Sequence, residues 1–413
     1  MLIFFTSGGD SCQSEEKANH SLEPILGLGV QQRFDSNVYW YPETRLANRQ
    51  SWVTSLLPVV GLRHEKEVNH WELKYAPDIT FYSDIPRENY QRHKGFLHFH
   101  QELGQWQLNG DFKLFYTDGS RSSQTWNGQG GPPAVGGYEI RNRRQNLFTQ
   151  HLFQARYNVD AFFMRAVYEG KIYDFMHRRS NEPGYQNFYD RNDLNGGLDL
   201  GYQWDQVNLE AYLGYRYGSQ DQENRENFGE TINYSNQYHR VLMGFEGHPY
   251  SWLKLKLEIG PDLRDYEEGI FQTSDGFGVH TFMKGSLVLM PSRFDRFSVQ
   301  WRRFIMPGSA GRGIFEDVKY TLGWEHDFGE NVCGLPLEAL SAGFYFTIYE
   351  NDFNPGKRWD RVYRPSLEFN YSFDAHWKLF LGYEYQWSES EVSNTPAREY
   401  QRHIVTMGIK YTY

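Results

Sequence analysis

Charged side chains in this sequence fall at every second position of otherwise apolar runs. Asp111 and Lys113 interrupt the series Trp106, Leu108, Phe112, Leu114 and Tyr116. Glu210 and Arg216 alternate with Val207, Leu209, Leu213 and Tyr215, and Lys254, Lys256 and Glu258 with Leu253, Leu255, Leu257 and Ile259. Arg364 and Glu368 alternate with Tyr363, Leu367 and Phe369, and Lys378 and Glu384 with Trp377, Leu379, Leu381 and Tyr383. Arg165, Glu169, Lys171, Arg302 and Lys410 occupy similar places. On this polar face bases outnumber acids, against the formal net charge of −10 for the chain. Two kinds of chemistry fit. Rings of fixed charge around an aqueous passage select ions by sign. A mixed set of acids and bases can instead form ion pairs that solvate and stiffen a wall. The sequence leaves both open.

Catalysis finds no comparable pattern. His64, His70, His98, His100 and His151 are available, but none sits in a Ser/His/Asp constellation, so no catalytic residue is nominated. His98 and His100 point to one side of a strand. Two ligands do not make a metal centre, so no metal and no cofactor is expected. Cys12 and Cys333 are too few for a disulfide framework. They are either a pair formed in an oxidising compartment or two unrelated thiols.

The elements that must carry these faces follow from composition and periodicity. The chain has 413 residues, with aromatic content of 17% but hydrophobic content of 39%, below the ~45–50% of ordinary globular chains. Such a chain builds a shell one residue thick more readily than a large core. No apolar run reaches the ~18–20 residues of a membrane helix, whereas a barrel strand crosses with ~9–11, only alternate ones facing lipid. The mean hydropathy of −0.71 is therefore compatible with a barrel. The acidic balance disfavours nucleic acid as a partner.

Period-2 runs recur from end to end. Their apolar faces tend to start and finish on Trp or Tyr, with Leu or Phe between, the profile of aromatic girdles around a hydrocarbon band. Short connections (Arg63–His70, Leu103–Gln105, Tyr157–Asp160, Trp204–Gln206, His248–Ser251, Ser292–Arg296, Phe373–His376) alternate with long polar ones (Asp35–Gln50, Ser83–His93, Thr117–Arg144, His177–Arg191, Ser219–Ser235 and onwards). The expected fold is all-β: a single transmembrane antiparallel barrel of about 18 strands, 16 being admissible, with short periplasmic turns and long extracellular loops. The expected location is the outer membrane of a Gram-negative bacterium, with its lipids as immediate partners.

The last run, from about Arg398, ends the sequence. Val405, Met407, Ile409, Tyr411 and Tyr413 form one face, and Ile404, Thr406, Gly408, Lys410 and Thr412 the other. A lipid-facing Lys near the bilayer midplane costs ~2–4 kcal/mol, so Lys410 is assigned to the lumen. Met407, Ile409, Tyr411 and the terminal Tyr413 resemble the C-terminal signal read by the barrel-assembly machinery.

Near the other end, Ser21-Leu22-Glu23-Pro24-Ile25-Leu26-Gly27-Leu28-Gly29-Val30 leads into Phe34-Asp35-Ser36-Asn37-Val38-Tyr39. Leu56-Leu57-Pro58-Val59-Val60-Gly61-Leu62 follows, then Leu73-Lys74-Tyr75 and Phe81-Tyr82. This series resembles the β-barrel porin 2 family over residues 21–82. The resemblance implies an outer-membrane barrel and, because members are encoded in exopolysaccharide clusters, periplasmic polysaccharide-export components as partners. Asp35 and Asn37 suit a strand-to-loop turn in which their side chains bond local backbone.

Residues 1–20 are expected to be the remnant of a secretory signal or a periplasmic segment, and residues 21–413 the barrel. The loop Thr117–Arg144 either folds inward to constrict the passage or stays outside. The functional expectation is a porin-like channel for small polar or anionic solutes, or for an exported polysaccharide. The alternatives are a non-transporting docking barrel for envelope machinery and, lower in rank, a lipid-hydrolysing barrel.

Overall fold

The computed structural model describes residues 21–38, 50–118, 145–174, 176, 190–222, 226–227, 230–231, 235–266, 277–307, 314–329, 339–354, 358–392 and 399–413. The N-terminal segment 1–20, Cys12, Cys333 and the loop stretch 119–144 lie outside them.

The described chain is a closed antiparallel barrel of 18 strands. They are β1 (Ser21–Asp35), β2 (Ser51–Lys66), β3 (Asn69–Tyr75 continuing as Asp78–Tyr82), β4 (Tyr90–Leu103), β5 (Trp106–Thr117) and β6 (Asn146–Val159). Next come β7 (Phe162–Asp174), β8 (Arg191–Trp204), β9 (Leu209–Gln222), β10 (Asn236–Tyr250), β11 (Leu253–Tyr266) and β12 (Phe277–Leu289). The last six are β13 (Asp295–Pro307), β14 (Ile314–Asp327), β15 (Leu340–Asn354), β16 (Arg358–Ser372), β17 (Trp377–Val392) and β18 (Tyr400–Thr412). Both halves of β3 pair with β2 in the same register, so they form one strand interrupted at Ala76-Pro77. Pro77 has no N–H to give the ladder.

Each strand pairs with its sequence neighbours, and β1 pairs with β18 from Gly27↔Thr412 to Asp35↔Ile404. Closure removes both sheet edges and satisfies the backbone without water. Tight turns join strands at one rim. Gly104 (φ 65°), Asp160 (φ 52°) and Asn208 (φ 44°) supply left-handed backbone there, where Gly, Asp and Asn are favoured. At the β16–β17 turn, Asp374 accepts the backbone N–H groups of Trp377 at 2.8 Å and His376 at 2.7 Å. Those bonds hold its carboxyl below the usual range.

Outward faces are apolar: Leu200, Leu213, Phe162 and Val279 are the most exposed of the large residues on the strand walls. On β17 this belt runs from Trp377 to Trp387. Trp377 packs on Tyr411 at 4.9 Å, and Trp387 stacks on Tyr363 at 4.6 Å. The opposite girdle is enriched in Tyr–His hydrogen bonds, Tyr215 to His239 at 2.6 Å and Tyr383 to His403 at 2.9 Å among them. An aromatic ring with a polar tip suits the boundary between lipid and water.

Several strands run further into the expected connections than the sequence reading placed them: Arg63–Lys66, Tyr90–His93, Tyr157–Val159, Ser219–Gln222 and His248–Tyr250 are strand. Val207 belongs to a short 3-10 turn, Asp205–Val207, and not to β9. The final strand begins at Tyr400, two positions beyond Arg398. Aromatic periodicity runs through a turn without marking its start.

One ladder is short. β12 pairs with β13 only from Met283↔Arg303 to Leu289↔Phe297. Above it Phe277–Phe282 stay paired with β11, while Phe304–Pro307 stay paired with β14. There the outer end of β13 parts from β12 and bends inward together with β14, which stays laddered to β15 as far as Ile314↔Asn354. Ile305 and Ile314, which continue the outward faces of their strands, are buried against Tyr266 from the inner face of β11.

Candidate functional site

The polar inner face is a sequence of charge clusters built across neighbouring strands. On β7, β8 and β9 the carboxylate of Asp199, with no exposed surface, receives two arginines. Arg165 Nε donates to it at 2.9 Å, and Arg216 Nη1 and Nη2 at 2.6 and 3.0 Å. The arrangement repeats on β10 and β11, where Arg240 and Arg264 both donate to Asp262, at 2.8 and 2.9 Å. Further round, Lys256 pairs with Glu246 at 2.8 Å, Arg302 with Asp317 at 2.8 Å and Arg364 with Glu384 at 2.8 Å. Glu258 accepts the hydroxyl of Tyr212 at 2.7 Å. Here Gly244 is required, because any Cβ would fall 2.0 Å from the Tyr212 ring. Packed, mutually bonded ions of this kind hold a wall in one arrangement.

Every lumen candidate named from the sequence lies on the inner face. Arg165, Arg216, Lys256, Glu258, Arg302, Arg364 and Glu384 are held in the bonds just described. Lys171 points across the lumen, its Nζ 5.2 Å from the ring centre of Phe304 on β13. Lys113 and Lys254 show no ion pair within 4.0 Å among the described residues. Lys378 and Lys410 are direct register partners on β17 and β18. Lys74 of β3, on the same polar face, is paired with Glu72 at 2.6 Å. Between them the inner faces of β1 and β2 carry Gly29, opposite Lys410, and Gly61, opposite Lys74. A Cβ at Gly61 would sit 2.9 Å from Lys74 Cγ and 2.5 Å from the Leu73 carbonyl oxygen. Glycine therefore lets the lysine stem lie flat across the wall.

Other residues of the face had not been singled out: Asp199, Asp262, Asp317, Arg240, Arg264, Lys284 and Lys74. The same alternation, carried past Ile259 to Asp262 and Arg264, would have found several of them. His70 joins His98 and His100, with ring centres 5.0 and 5.7 Å apart. His98 Nδ1 meets Asp111 at 3.1 Å and His100 Nδ1 meets Asn109 at 2.5 Å. Among the described residues no group of His, Cys, Asp or Glu is arranged to hold a metal. His64 and His151 face outward, beside Trp71 and Tyr168.

Asp35 and Asn37 do more than cap a local turn. Asn37 N donates to Asp35 Oδ1 at 3.1 Å, as a turn requires. Asp35 also takes Nε of Arg402 at 2.9 Å and its Nη2 at 2.5 Å, and Asn37 Nδ2 donates to the Gln401 carbonyl at 3.0 Å. Ser36 N and Oγ engage His403 O and N at 3.0 and 2.8 Å. The motif prolongs the closing seam beyond its last ladder pair.

The lumen narrows where β13 and β14 turn inward. Lys284 of β12 reaches Glu169 of β7 at 4.0 Å, across five strand positions of wall. Both stay half exposed, at 53% and 43%, so open space adjoins the contact.

No family model matches the chain, and no curated protein matches it. Several solved structures are similar over 95% of its length. One is OpdK of Pseudomonas aeruginosa with vanillate, at 10% identity over 99% of that chain with a TM-score of 0.46. Another is OccK2 (OpdF) of the same organism in complex with glucuronate, at 10% identity over 98% of that chain with a TM-score of 0.45. A third is OccAB3 of Acinetobacter baumannii, at 10% identity over 100% of that chain with a TM-score of 0.43. The location follows from the chain's own geometry. A closed barrel with an apolar belt, aromatic girdles and a polar interior is a protein of the Gram-negative outer membrane.

Proposed function

We propose that this barrel is a porin-like channel for small anionic solutes. The observation that carries the reading is the pairing of Lys378 with Lys410 in one register. Like charges directly opposite each other destabilise a sheet. An anion passing between them turns that repulsion into attraction. The glycines at positions 29 and 61 leave room beside them. A barrel of ~16–18 strands is wide enough for an aqueous channel.

Export of a polysaccharide, suggested by the resemblance of residues 21–82 to the porin 2 family, fits less well. Contacts between β7 and β12–β13 narrow the passage, and a narrow lumen favours small solutes. Passage needs no bond-making, so the reading assigns no catalysis. Met407, Ile409, Tyr411 and Tyr413 serve, in this reading, as the strand presented to the assembly machinery.

Reconstitution in planar bilayers tests the proposal. Stable open steps with anion preference support it. A folded barrel that stays silent favours a docking role instead, and conductance with cation preference overturns the assignment of the lysines.

A further inference from the structure

The wall itself narrows the lumen, and specific side chains hold it there. Where the β12–β13 ladder ends, the backbone carbonyl of Ile305 has left its place in the sheet. Gln220 Nε2 of β9 donates to that oxygen at 3.1 Å, and Arg264 Nη2 of β11 lies 3.5 Å from it. Both side chains are almost wholly buried. Arg264 Nη1 in turn donates to Gln220 Oε1 at 2.6 Å, and Asn236 Nδ2 donates to the same oxygen at 3.3 Å. Gln220 Nε2 also reaches Asp193 at 3.1 Å. Ile305 and Ile314 pack on Tyr266 just beside this latch.

We propose that Gln220 and Arg264 are positioning residues that hold the outer ends of β13 and β14 inside the wall, against β9 and β11, and so set the size limit of the pore. The inference rests on the channel reading and adds the element that would decide which solutes fit. Its logic is a competition between two places for one hairpin. In the wall, continuing the register of Met283 with Arg303 would bring Thr281 opposite Ile305. Inside it, the Ile305 carbonyl is satisfied by Gln220 and Arg264, and two isoleucines are buried. A buried carbonyl must have a donor, so the latch replaces the ladder bond the hairpin gives up. Phe304, with Lys171 near its ring, then projects across the passage.

The experiment uses the full chain, folded into lipid and checked by its heat-modifiable mobility. A Thr281→Cys, Ile305→Cys pair reports where the hairpin lies, since a disulfide needs Cα atoms no more than ~7 Å apart. With Gln220 and Arg264 intact, oxidation leaves the thiols free. Adding Gln220→Leu, which keeps side-chain volume but removes the donor, lets the disulfide form. The same Gln220→Leu change raises single-channel conductance about two-fold or more and admits larger solutes. So does a barrel in which Phe304–Asp317 is replaced by an Asn-Gly turn. A disulfide that forms readily without Gln220→Leu overturns the proposal. So does a shortened hairpin that leaves conductance at the wild-type value, or a Gln220→Leu barrel that matches wild type while the shortened one does not. If wild-type and shortened barrels are both silent, the channel reading fails, and the disulfide still reports whether Gln220 holds the hairpin.

Discussion

Asp35 and Arg402, 367 residues apart in sequence, form a two-bond ion pair across the seam that closes the barrel. Asp35 is 1% exposed and Arg402 9%. Asp35 ends the β1–β18 ladder opposite Ile404, and Arg402 lies two residues beyond that partner, where Ser36 and Asn37 add three further bonds to β18. The end of β1 is therefore fastened to the start of β18 by side chains as well as by backbone.

Arg402→Ala should lose more than the attraction. It leaves a buried carboxylate without its guanidinium, and breaking such a pair costs ~3–5 kcal/mol. The expected result is a lower urea midpoint and a smaller folded fraction on unheated gels. The double variant Asp35→Ala, Arg402→Ala should be milder than the two single costs added, because no charge is stranded.

Reversing the paired lysines tests selectivity separately from stability. Lys378→Glu with Lys410→Glu should move the zero-current potential in a salt gradient from the anion side to the cation side. The variant should fold normally, since neither residue is part of the packed Arg–Asp clusters. An unchanged potential would place the selecting charge elsewhere in the lumen.

The Asp199 cluster should respond in the opposite way. Asp199→Asn leaves Arg165 and Arg216 facing each other in a buried setting, at a cost of ~3–5 kcal/mol by the same reasoning. Replacing all three by Met, Leu and Met should recover much of that loss, because an apolar cluster of similar volume carries no stranded charge. Urea titration of the single and triple variants compares them directly.

The outer face can be checked by one substitution. Leu213, among the most exposed aliphatic residues, lies near the middle of the β9 belt. Leu213→Arg should cost ~2–4 kcal/mol in a bilayer, whereas Lys254→Ala, on the opposite face of the wall, should be close to neutral. Folding free energies measured in lipid vesicles separate the two.

The strands, their facing and the inner position of Lys410 were legible because a period of 2 needs only local sequence. Alternation says which side of a wall a residue occupies. It does not say how far that side chain reaches or what it meets. Asp199 shared between Arg165 and Arg216, and His70 beside His98 and His100, depend on register between strands. The Asp35-Ser36-Asn37 motif resembled a local turn because its distant partners, residues 401–403, leave no mark on the adjacent sequence. The inward turn of β13 and β14 was hidden most deeply. Ile305 and Ile314 continue the outward pattern, and they are buried only because the strand end itself changes place.

That displacement has a mechanical side. Among the described residues Phe277–Phe282 of β12 are braced by a neighbouring strand on one flank only. The cylinder is thus slit from its outer rim down to Met283. A slit tube yields where an intact one resists. Across the slit the two sides are joined, among the described residues, by side chains alone, Gln220 and Arg264 on the Ile305 carbonyl and Tyr266 against Ile305 and Ile314, so its stiffness is set by those few contacts and not by a ladder.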